Sequence, residues 1–525
     1  MNTPESRWTE IATTPSLSEW PELLKRRYPF QINSELSQLR SSARTRLVDA
    51  AQQYVRRLSD IAAQAHVAIE AAEVLTGDAQ TQPIIMTGHQ PVMFHGGLTF
   101  KYDCTEQTAV NHTAIGIAVT IDTDEGDPGA FPYPQIDTAA TKQSAKQLNL
   151  AEISFCESRG LYGSVPLLTA DQLNARLQTV RTNLEQTAGP HALKDFEKFG
   201  REYCRLATAG VSAAEANLIT RWSRGIGSRL LELPLSSICC FPEVLQLTAS
   251  VLTETRTFVA AYNNSLQQFR KHHSLRNQVN PFPDLQTSDE GTELPFWVVD
   301  TDHQTRHRLF MHTVDRVLTL VANGKPIAPC PPGEAIDVLN RLALRNVQLI
   351  PRGALITAFL RLLFADLFVH GIGGGHYDAF TTTFIESWWE VAPPPFVVAS
   401  ASEYLFAERR SKIQNIQVLN QNLRDLRFNP QRHFGTGEFT ESVEAELQTL
   451  HAQKESTVAQ LKLAQTNGKS AREIGHQIQL VSNRIKEVVD NAFNQQLKAL
   501  NELTPQTAEA VNCRTYPWFL FDNHR

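Results

Sequence analysis

The sequence has few of the residues and segments that mark specialised classes of protein. Its seven cysteines include no CxxC pair and one adjacent pair, Cys239 and Cys240, so we expect neither a disulfide framework nor a zinc knuckle. The N-terminus has no basic start followed by an apolar run, so no secretory signal is expected. The most apolar stretch, from Ala354, is interrupted by an arginine, an aspartate and a histidine, and predicts a buried core segment instead of a membrane span. These absences favour a cytoplasmic protein.

Positive charge is also scarce. The formal net charge of -6 argues against a general nucleic-acid binder, because phosphates are bound by a local excess of lysine and arginine. The nearest basic patch, FRKHHSLR from Phe269, is typical of a solvated helix end, although His272 and His273 beside Lys271 could help to hold an anion. The rest of the composition is that of an ordinary globular protein, long enough for roughly three or four packing units.

The hydrophobic pattern divides the chain into successive segments. Apolar residues recur every three or four positions and predict a long amphipathic helix from Ser34 to about Thr76. We predict, in order, an N-terminal helical segment (1–80), the first part of an α/β core (81–160), a mostly helical insertion (161–290), the second part of the core (291–402), and a helical coiled-coil arm with a C-terminal tail (403–525).

The core is predicted to begin with a βαβ unit. QPIIM predicts a short buried strand, LTFKYDCTEQTAVNH a helix, and AIGIAVTID a second strand. Parallel strands joined by a helix bind ligands at their carboxyl ends, and both of these strands are followed there by an unusual loop.

The first loop, MTGHQPVMFHGG from Met86, combines glycines with two histidines. A loop that follows a strand and opens a helix exposes backbone N–H groups that suit a phosphate or a carboxylate. His89 and His95 could add charged donors or carry protons near neutral pH. The spacing matches neither GxGxxG nor a Walker loop. Alternatively, the glycines form a turn and the histidines are satisfied core residues.

The second loop, IDTDEGDPG, crowds Asp122, Asp124, Glu125 and Asp127 at a strand end. Crowded carboxylates repel one another unless a cation or a basic substrate group neutralises them. The order of residues does not fit an EF-hand. A Mg²⁺ site on Asp124 and Asp127, an amine-binding pocket and a solvated acidic turn all remain open.

A third motif, GIGGGHYD, follows another apolar run. We interpret it as a loop that shares a pocket with the first one, because its glycines permit close approach of the backbone to a ligand; a crowded turn in the core is the alternative. The candidate binding residues are Gly373, Gly374, Gly375, His376 and Asp378.

The last segment has heptad spacing. Val443, Leu447 and Leu450 keep a 4,3 pattern, and the pattern resumes from Ile474 after the turn TNGKS. Two such helices joined by an Asn-Gly turn predict an antiparallel coiled-coil hairpin, and such arms often mediate dimerisation.

In this order the motifs resemble the bacillithiol biosynthesis cysteine-adding enzyme family. The acidic strand end, the Pro351–Arg352 neighbourhood, PPPFVVASAS and the terminal coiled coil all match. The chain departs from the family at two places. His89 stands where a second glutamine is usual, and DTDEGD stands where the family has EDHD. These departures are typical of a divergent member. The matching TG.QP..F.GG signature comprises Thr87, Gly88, Gln90, Pro91, Phe94, Gly96 and Gly97.

The resemblance implies a Rossmann-like, nucleotidyltransferase-type α/β core with helical insertions and a C-terminal antiparallel coiled-coil arm that makes a homodimer. It also implies an activity that attaches cysteine to the amine of glucosaminyl-malate. The segments Thr87–Gly97 and Gly373–Asp378 would flank the active site and bind substrate or nucleotide, and Arg352 would hold a substrate carboxylate.

We therefore expect a ligase-like enzyme that joins an amino acid to the amine of a small acceptor. Amide formation needs an activated carboxyl group, and adenylation by ATP with Mg²⁺ is the simplest route. Backbone N–H groups with His89 or His95 would stabilise phosphate charge, and Asp124 or Asp127 would hold Mg²⁺ or the attacking amine.

Two other classes of function remain open. One is a non-catalytic dimeric scaffold that retains the fold. The other is a metal-dependent hydrolase, because Asp300, Asp302 and His303 follow the strand FWVV like part of a metal-ligand set. Such spacing often arises by chance, so we expect no metal there. We expect small-molecule substrates and neither nucleic acid nor membrane as partner.

Overall fold

The structure is a computed structural model that describes residues 8–25, 34–69, 78–137, 147–188, 190–276, 282–289, 291–314, 317–466, 472–501 and 504–521. The strands in these ranges are β1 Glu10–Thr14, β2 Ile84–His89, β3 Ile115–Thr120, β4 Glu125–Gly126, β5 Ala130–Asp137, β6 Gln147–Ser154, β7 Gly160–Leu161, β8 Leu231–Pro234, β9 Thr287–Ser288, β10 Gly291–Asp300, β11 Thr305–Val314, β12 Val317–Ala322, β13 Lys325–Pro329, β14 Val347–Pro351, β15 Leu367–His370 and β16 Phe396–Ser402.

The α-helices in the same ranges are α1 Trp20–Lys25, α2 Ser34–Gln64, α3 Gly96–Asn111, α4 Ala170–Thr187, α5 Pro190–Thr208, α6 Ala213–Trp222, α7 Leu235–Ile238, α8 Pro242–Thr253, α9 Thr255–His272, α10 Ala335–Ala343, α11 Ala354–Leu363, α12 Ile372–Trp389, α13 Ala407–Phe428, α14 Glu441–Thr466, α15 Arg472–Ala492, α16 Asn494–Asn501 and α17 Pro505–Asn512. The chain divides into two compact units. Unit 1 comprises Met1–Gln135, Ala151–Glu403 and Arg514–Arg525, and unit 2 comprises Ile136–Leu150 and Tyr404–Cys513.

Unit 1 contains a six-stranded sheet in the order β1-β16-β15-β2-β3-β8. β1 is antiparallel to β16, and all the other neighbours pair in parallel. Numbered along the chain, the five parallel strands lie in the order 3-2-1-4-5 from β8 to β16, so the order reverses between β2 and β15. All six residues of β3 are buried, as expected when helices cover both faces of a parallel sheet. The predicted α/β class is confirmed.

The core of the sheet explains why the first predicted βαβ unit forms. β2 and β3 are short apolar runs, and Ile84 pairs with Ile115 at the start of both. The intervening helix α3 packs the Phe100 ring into a buried cluster with Trp20 of α1 and Val397 of β16. The predicted strand, helix and strand are therefore confirmed, with β2 continuing through His89.

The N-terminal segment differs from its predicted form. It is not helical throughout, because β1 pairs with β16 from Glu10, opposite Ser402, onward. The long helix α2 ends at Gln64, short of the predicted end near Thr76, and His66 follows with a left-handed φ of 54°. Residues 70–77, where the helix was predicted to end, lie outside the described residues.

The predicted insertion and second core segment also differ from the structure. The insertion contains β8, an edge strand of the parallel sheet, which at four residues is too short for periodicity to distinguish it from a helix. The second core segment opens with an antiparallel sheet in the order β13-β12-β11-β10-β14, with β9 paired to β10. From that segment, β15 and β16 join the parallel sheet.

Unit 2 is mainly helical. The two helices predicted from heptad spacing are α14 and α15, and Arg484 pairs with Glu446 across them at 3.1 Å. Leu447, Ile485 and Val489 lie in one buried cluster with Leu423 of α13, so α13 covers part of the same apolar stripe. The turn between α14 and α15 lies outside the described residues. Across the described ranges of both units, none of the helices has the length and hydropathy needed to cross a membrane.

Candidate functional site

The carboxyl ends of β2 and β15 lie side by side where the strand order reverses. The Thr87 hydroxyl on β2 donates a hydrogen bond to the Val369 carbonyl on β15 over 2.9 Å. The chain leaves β2 toward α3 and leaves β15 toward α12. A reversal of this kind in a parallel sheet leaves a crevice in which ligands bind. We therefore take these two strand ends as the candidate site.

The paired glycines that begin α3 serve helix packing. A Cβ added to Gly97 would lie 3.0 Å from the Ser400 hydroxyl and 3.2 Å from the Ala401 carbonyl. A Cβ added to Gly96 would lie 3.1 Å from both Trp8 and the Glu403 side chain. Both glycines therefore let α3 approach β16 closely, which explains their presence without a ligand.

The N-terminus of α3 is already covered. The Gly97 N–H donates to His95 Nδ1 over 3.1 Å, so His95 caps the helix. The C-terminal segment also lies here, because the Trp518 N–H donates to the Phe94 carbonyl over 2.8 Å and Pro517 forms a β-bridge with His95. The anion site predicted at this helix end is therefore not open in the structure.

The two histidines of the motif are neutral. Burial, reinforced by the neighbouring Lys101, lowers the pKa of His89 to about 3. Burial, with Arg514 and Lys101 nearby, lowers the pKa of His95 to about 4. The expectation that they act as charged donors at neutral pH is therefore not met. His89 Nδ1 lies 3.1 Å from the Gln90 carbonyl, which places the proton on Nδ1 and leaves Nε2 as an acceptor.

Sequence reasoning missed Lys101 as a residue of this site. Its side chain lies in the second turn of α3, and the residue is 2% exposed. Its ammonium donates to the Gly88 carbonyl over 2.8 Å, at the end of β2. Burial lowers the pKa of Lys101 to about 7. One feature of the sequence could have indicated Lys101. It stands within LTFKYDC, a largely apolar helix sequence in which a lysine has little chance of reaching solvent.

The glycine-rich motif after β15 forms the start of α12, so its interpretation as a loop is wrong. Gly371 is the N-cap and has no side chain to cap the helix. A Cβ at Gly371 or Gly373 would meet no atom within 4 Å, whereas one at Gly375 would collide with Val398. The start of α12 is therefore open at Gly371 and Gly373, whereas Gly374 lies against His370 and Gly375 against Val398 of β16.

Two other residues of this motif have separate surroundings. Asp378 is buried, and its carboxylate lies 3.0 Å from Arg361 Nη1 and 3.1 Å from His370 Nε2. Although burial acts to raise it, Arg361 and the hydrogen bond from His370 hold the pKa of Asp378 below its ordinary value. His376 is exposed. Asp378 therefore anchors α12 to α11 and β15, and of the predicted binding glycines Gly373 alone has open space beside it for a ligand.

The basic patch predicted at Phe269 ends α9, and α9 runs antiparallel to α12. The Phe258 ring lies 5.1 Å from the Trp388 ring, and the Tyr262 ring lies 5.2 Å from the Phe380 ring. Since higher numbers on α9 meet lower numbers on α12, the exposed Lys271 and His272 lie at the same end as the start of α12. The Lys271 ammonium and the N–H groups of α12 that have no side-chain cap therefore share this end of the two helices.

The acidic loop after β3 is neutralised by protein groups. Asp124 accepts hydrogen bonds from Arg306 Nη1 at 2.5 Å and from Gln90 Nε2 at 2.9 Å. Asp127 accepts from the Gly129 N–H at 3.0 Å and from the Ser154 hydroxyl at 2.9 Å. Arg306 therefore supplies the cation that the crowded carboxylates required.

The structure does not assemble the predicted metal ligands. In the described ranges, His, Cys, Asp and Glu side chains form no group of three or more that could hold a metal ion. Asp124 and Asp127 are engaged separately, as above. Asp300, Asp302 and His303 lie in the exposed turn between β10 and β11, where His303 Nδ1 contacts Asp300 at 2.9 Å.

Arg352 lies on the other sheet. It follows β14, forms an ion pair with the buried Glu293, and its guanidinium lies 5.1 Å from the centre of the Trp297 ring. Arg306 lies 4.4 Å from the same ring, so Trp297 contacts both arginines. Arg352 is therefore not among the residues at the β2 and β15 ends, and its expected role on a substrate carboxylate stays a prediction.

Open volume at the candidate site is small. The cavity lined by His89, Gln90 and Asn217 measures about 10 Å³, enough for about one water molecule. A cleft of about 760 Å³ lies between the start of α9 and the sheet of β10 and β11, and one of about 380 Å³ lies between α4 and α5. A substrate at the β2 end must therefore bind against the open start of α12 or displace the loop.

No protein-family model and no curated protein sequence matches this chain. The resemblance described above therefore rests on the short motifs and their order alone.

Proposed function

We propose that this chain is a ligase that joins an amino acid, cysteine by the resemblance, to the amine of a small acceptor such as glucosaminyl-malate. We further propose that its parallel sheet is a Rossmann-like, nucleotidyltransferase-type core with the substrate at the β2 and β15 ends. The strand order 3-2-1-4-5 supports this most, because it brings the Thr87–Gly97 segment and the start of α12 to one edge.

The anionic part of the reaction is assigned to the start of α12. Its first N–H groups receive no side-chain cap from Gly371, and Gly373 leaves the approach open. A helix N-terminus favours phosphate and carboxylate groups, and the exposed Lys271 adds positive charge at the same end. These residues fit a nucleotide phosphate, so we propose ATP as the activating co-substrate that supplies the leaving phosphate group.

His89 is assigned a role at the amine nitrogen of the acceptor. When an amine attacks an activated carboxyl group, the nitrogen must lose a proton as the C–N bond forms. The Nδ1 proton of His89 faces the Gln90 carbonyl, so Nε2 has a free lone pair. Its low pKa keeps this lone pair unprotonated at neutral pH. We therefore assign His89 Nε2 as the hydrogen-bond acceptor that orients the amine N–H, and the proton itself leaves to solvent, because an imidazole of such low pKa does not retain it.

The proposal gives Mg²⁺ no protein ligands. Asp124 is held by Arg306 and Gln90, and Asp127 by its own turn and Ser154, so these carboxylates do not fit a shared ion. Asp124 instead fixes Gln90, which follows His89 directly. Mg²⁺ enters the proposal only as the counter-ion with which ATP is supplied.

On the same resemblance, we propose a cytoplasmic homodimer in which α14 and α15 form a coiled-coil arm. The heptad spacing and the buried Leu447, Val481 and Ile485 support a coiled-coil packing of these helices. Sedimentation of the purified chain tests the dimer. A single species of 58.7 kDa at micromolar concentration would contradict it.

Mass spectrometry of reaction mixtures tests the activity. Purified protein is incubated with cysteine and glucosaminyl-malate, with and without ATP and Mg²⁺. We expect a conjugate heavier than the acceptor by one cysteinyl residue, lost in His89→Ala and retained in the control His476→Ala, an exposed histidine on α15. Absence of a conjugate with every amino acid in a panel would contradict the ligase and favour the scaffold.

A further inference from the structure

Lys101 is a buried charge at the candidate site to which the proposed reaction gives no role. The residue is 2% exposed, and within the described part of the chain its ammonium donates one hydrogen bond, the 2.8 Å contact with the Gly88 carbonyl. Among the described residues, no carboxylate lies within ion-pair distance of its nitrogen. An ammonium has three donors, so most of its bonding capacity is unused.

The groups around Lys101 do not balance its charge. The Tyr102 ring lies 5.4 Å from the ammonium. His89 and His95 are neutral, and Lys101 contributes to lowering both of their pKa values. Further titratable or charged groups on α3 and on the elements around its start include Tyr102, Asp103, Cys104 and Glu106 on the helix, His370 on β15, Glu403 after β16, Asp124 after β3 and Arg514 in the C-terminal segment.

Two of these carboxylates have their own partners. Glu106 accepts the Arg229 N–H at 2.6 Å, and Asp124 accepts from Arg306. Arg514 adds positive charge near His95. A buried ammonium that has no carboxylate beside it among the described residues is costly, and it either gives up its proton or acquires an anion.

We infer that the Lys101 ammonium is the counter-charge of the substrate's anionic group, a carboxylate or a phosphate, and that binding of this group is coupled to the uptake of one proton. Lys101 is then a positioning residue: it holds the Gly88 carbonyl and provides positive charge beneath the end of β2. This inference rests on the proposed function for the location of the substrate.

The coupling predicts a particular dependence on pH. Because burial lowers the pKa of Lys101 to about 7, the free protein holds the ammonium below pH 7 and loses it above. If only the protonated form binds the anion, affinity is constant below pH 7 and falls about 50-fold between pH 7 and pH 9. Proton uptake on binding at pH 8 is close to one proton per site.

Calorimetric titration of the full chain measures this coupling. Glucosaminyl-malate serves as the carboxylate probe and ATP as the phosphate probe, each in buffers of different ionisation enthalpy. The variants are Lys101→Met, Lys101→Arg and the control Lys325→Met, an exposed lysine on β13. We expect proton uptake with one or both probes, whose identity assigns the anion to the carboxylate or the phosphate.

The two variants at position 101 distinguish loss of the positive charge from a change in packing. Lys101→Met should bind at least tenfold more weakly with no proton uptake. Lys101→Arg should bind with no uptake and with affinity independent of pH, because arginine keeps its charge. Lys325→Met should match the unaltered protein. If neither variant at position 101 folds, the buffer dependence of the unaltered protein decides, since it needs no substitution.

The outcomes distinguish this inference from the ligase activity. If product forms but binding is independent of pH and takes up no proton, the proposed role of Lys101 is wrong and the ligase activity is supported. Proton-coupled binding without product supports Lys101 and contradicts the ligase. Failure of both probes to bind overturns both.

Discussion

Replacement of Arg221 tests the packing beneath the candidate site. Its Nη2 lies 2.6 Å from a carboxylate oxygen of Glu232, and both side chains are 2% exposed. The guanidinium lies 5.0 Å from the Phe94 ring of the first motif and 4.7 Å from the Tyr102 ring. The Thr120 hydroxyl donates to the other Glu232 oxygen at 3.0 Å. This pair therefore joins α6 and β8 to the motif and to the end of β3.

Arg221→Met leaves Glu232 as a buried carboxylate without its cation, held by the Thr120 hydroxyl. Breaking a buried ion pair from one side costs about 3–5 kcal/mol. Burial already raises the pKa of Glu232, and loss of Arg221 raises it further. A carboxyl pKa that is higher in the folded than in the unfolded state makes the loss of stability grow as the pH rises from the ordinary pKa of 4.5 toward the folded pKa. The double variant Arg221→Met/Glu232→Gln removes the charge and should recover most of the stability.

Urea denaturation followed by tryptophan fluorescence measures this loss. All seven tryptophans lie in unit 1, so the signal reports the unit that contains the pair. A loss below about 1 kcal/mol for Arg221→Met, or a double variant no more stable than the single one, would refute the reasoning.

Other substitutions separate packing from ligand binding. Gly97→Ala should destabilise unit 1 by about 1–3 kcal/mol in the same assay, because its Cβ would lie 3.0 Å from the Ser400 hydroxyl. Gly373→Ala meets open space and should stabilise α12 by about 0.5–1 kcal/mol, so equal losses at the two glycines would contradict this packing. Arg306→Met releases Asp124 and should speed amide hydrogen exchange across the acidic loop, whereas unchanged exchange would show that Arg306 does not hold it.

Hydrophobic periodicity and turn residues are sufficient to predict the strands and helices that form from a local pattern. The apolar runs of β2 and β3 and the helix between them were predicted because each is bounded by turn residues and has its own period. The heptad helices α14 and α15 were predicted for the same reason. Sequence also pointed to the ends of β2 and β15, because glycines and histidines cluster there after apolar runs.

Long-range contacts decided the rest. The third motif was predicted as a loop because glycine disfavours helix, but Gly375 is needed where α12 approaches Val398. The acidic loop lacked a visible cation because Arg306 comes from β11, far along the chain. Lys101 was missed since nothing in LTFKYDC shows that its nitrogen meets the Gly88 carbonyl. Each of these three features depends on a contact with a residue that is distant in the sequence, and local hydrophobic periodicity does not reveal such contacts.

Hydrogen–deuterium exchange with and without bound substrate tests the central claim most directly, that ligands bind where β2 and β15 end. The chain is exchanged alone and with cysteine, glucosaminyl-malate and ATP with Mg²⁺. The account predicts slower exchange in residues 87–97 and in the first turns of α12. Slower exchange confined to the cleft between the start of α9 and the β10–β11 sheet would place the site elsewhere and contradict it.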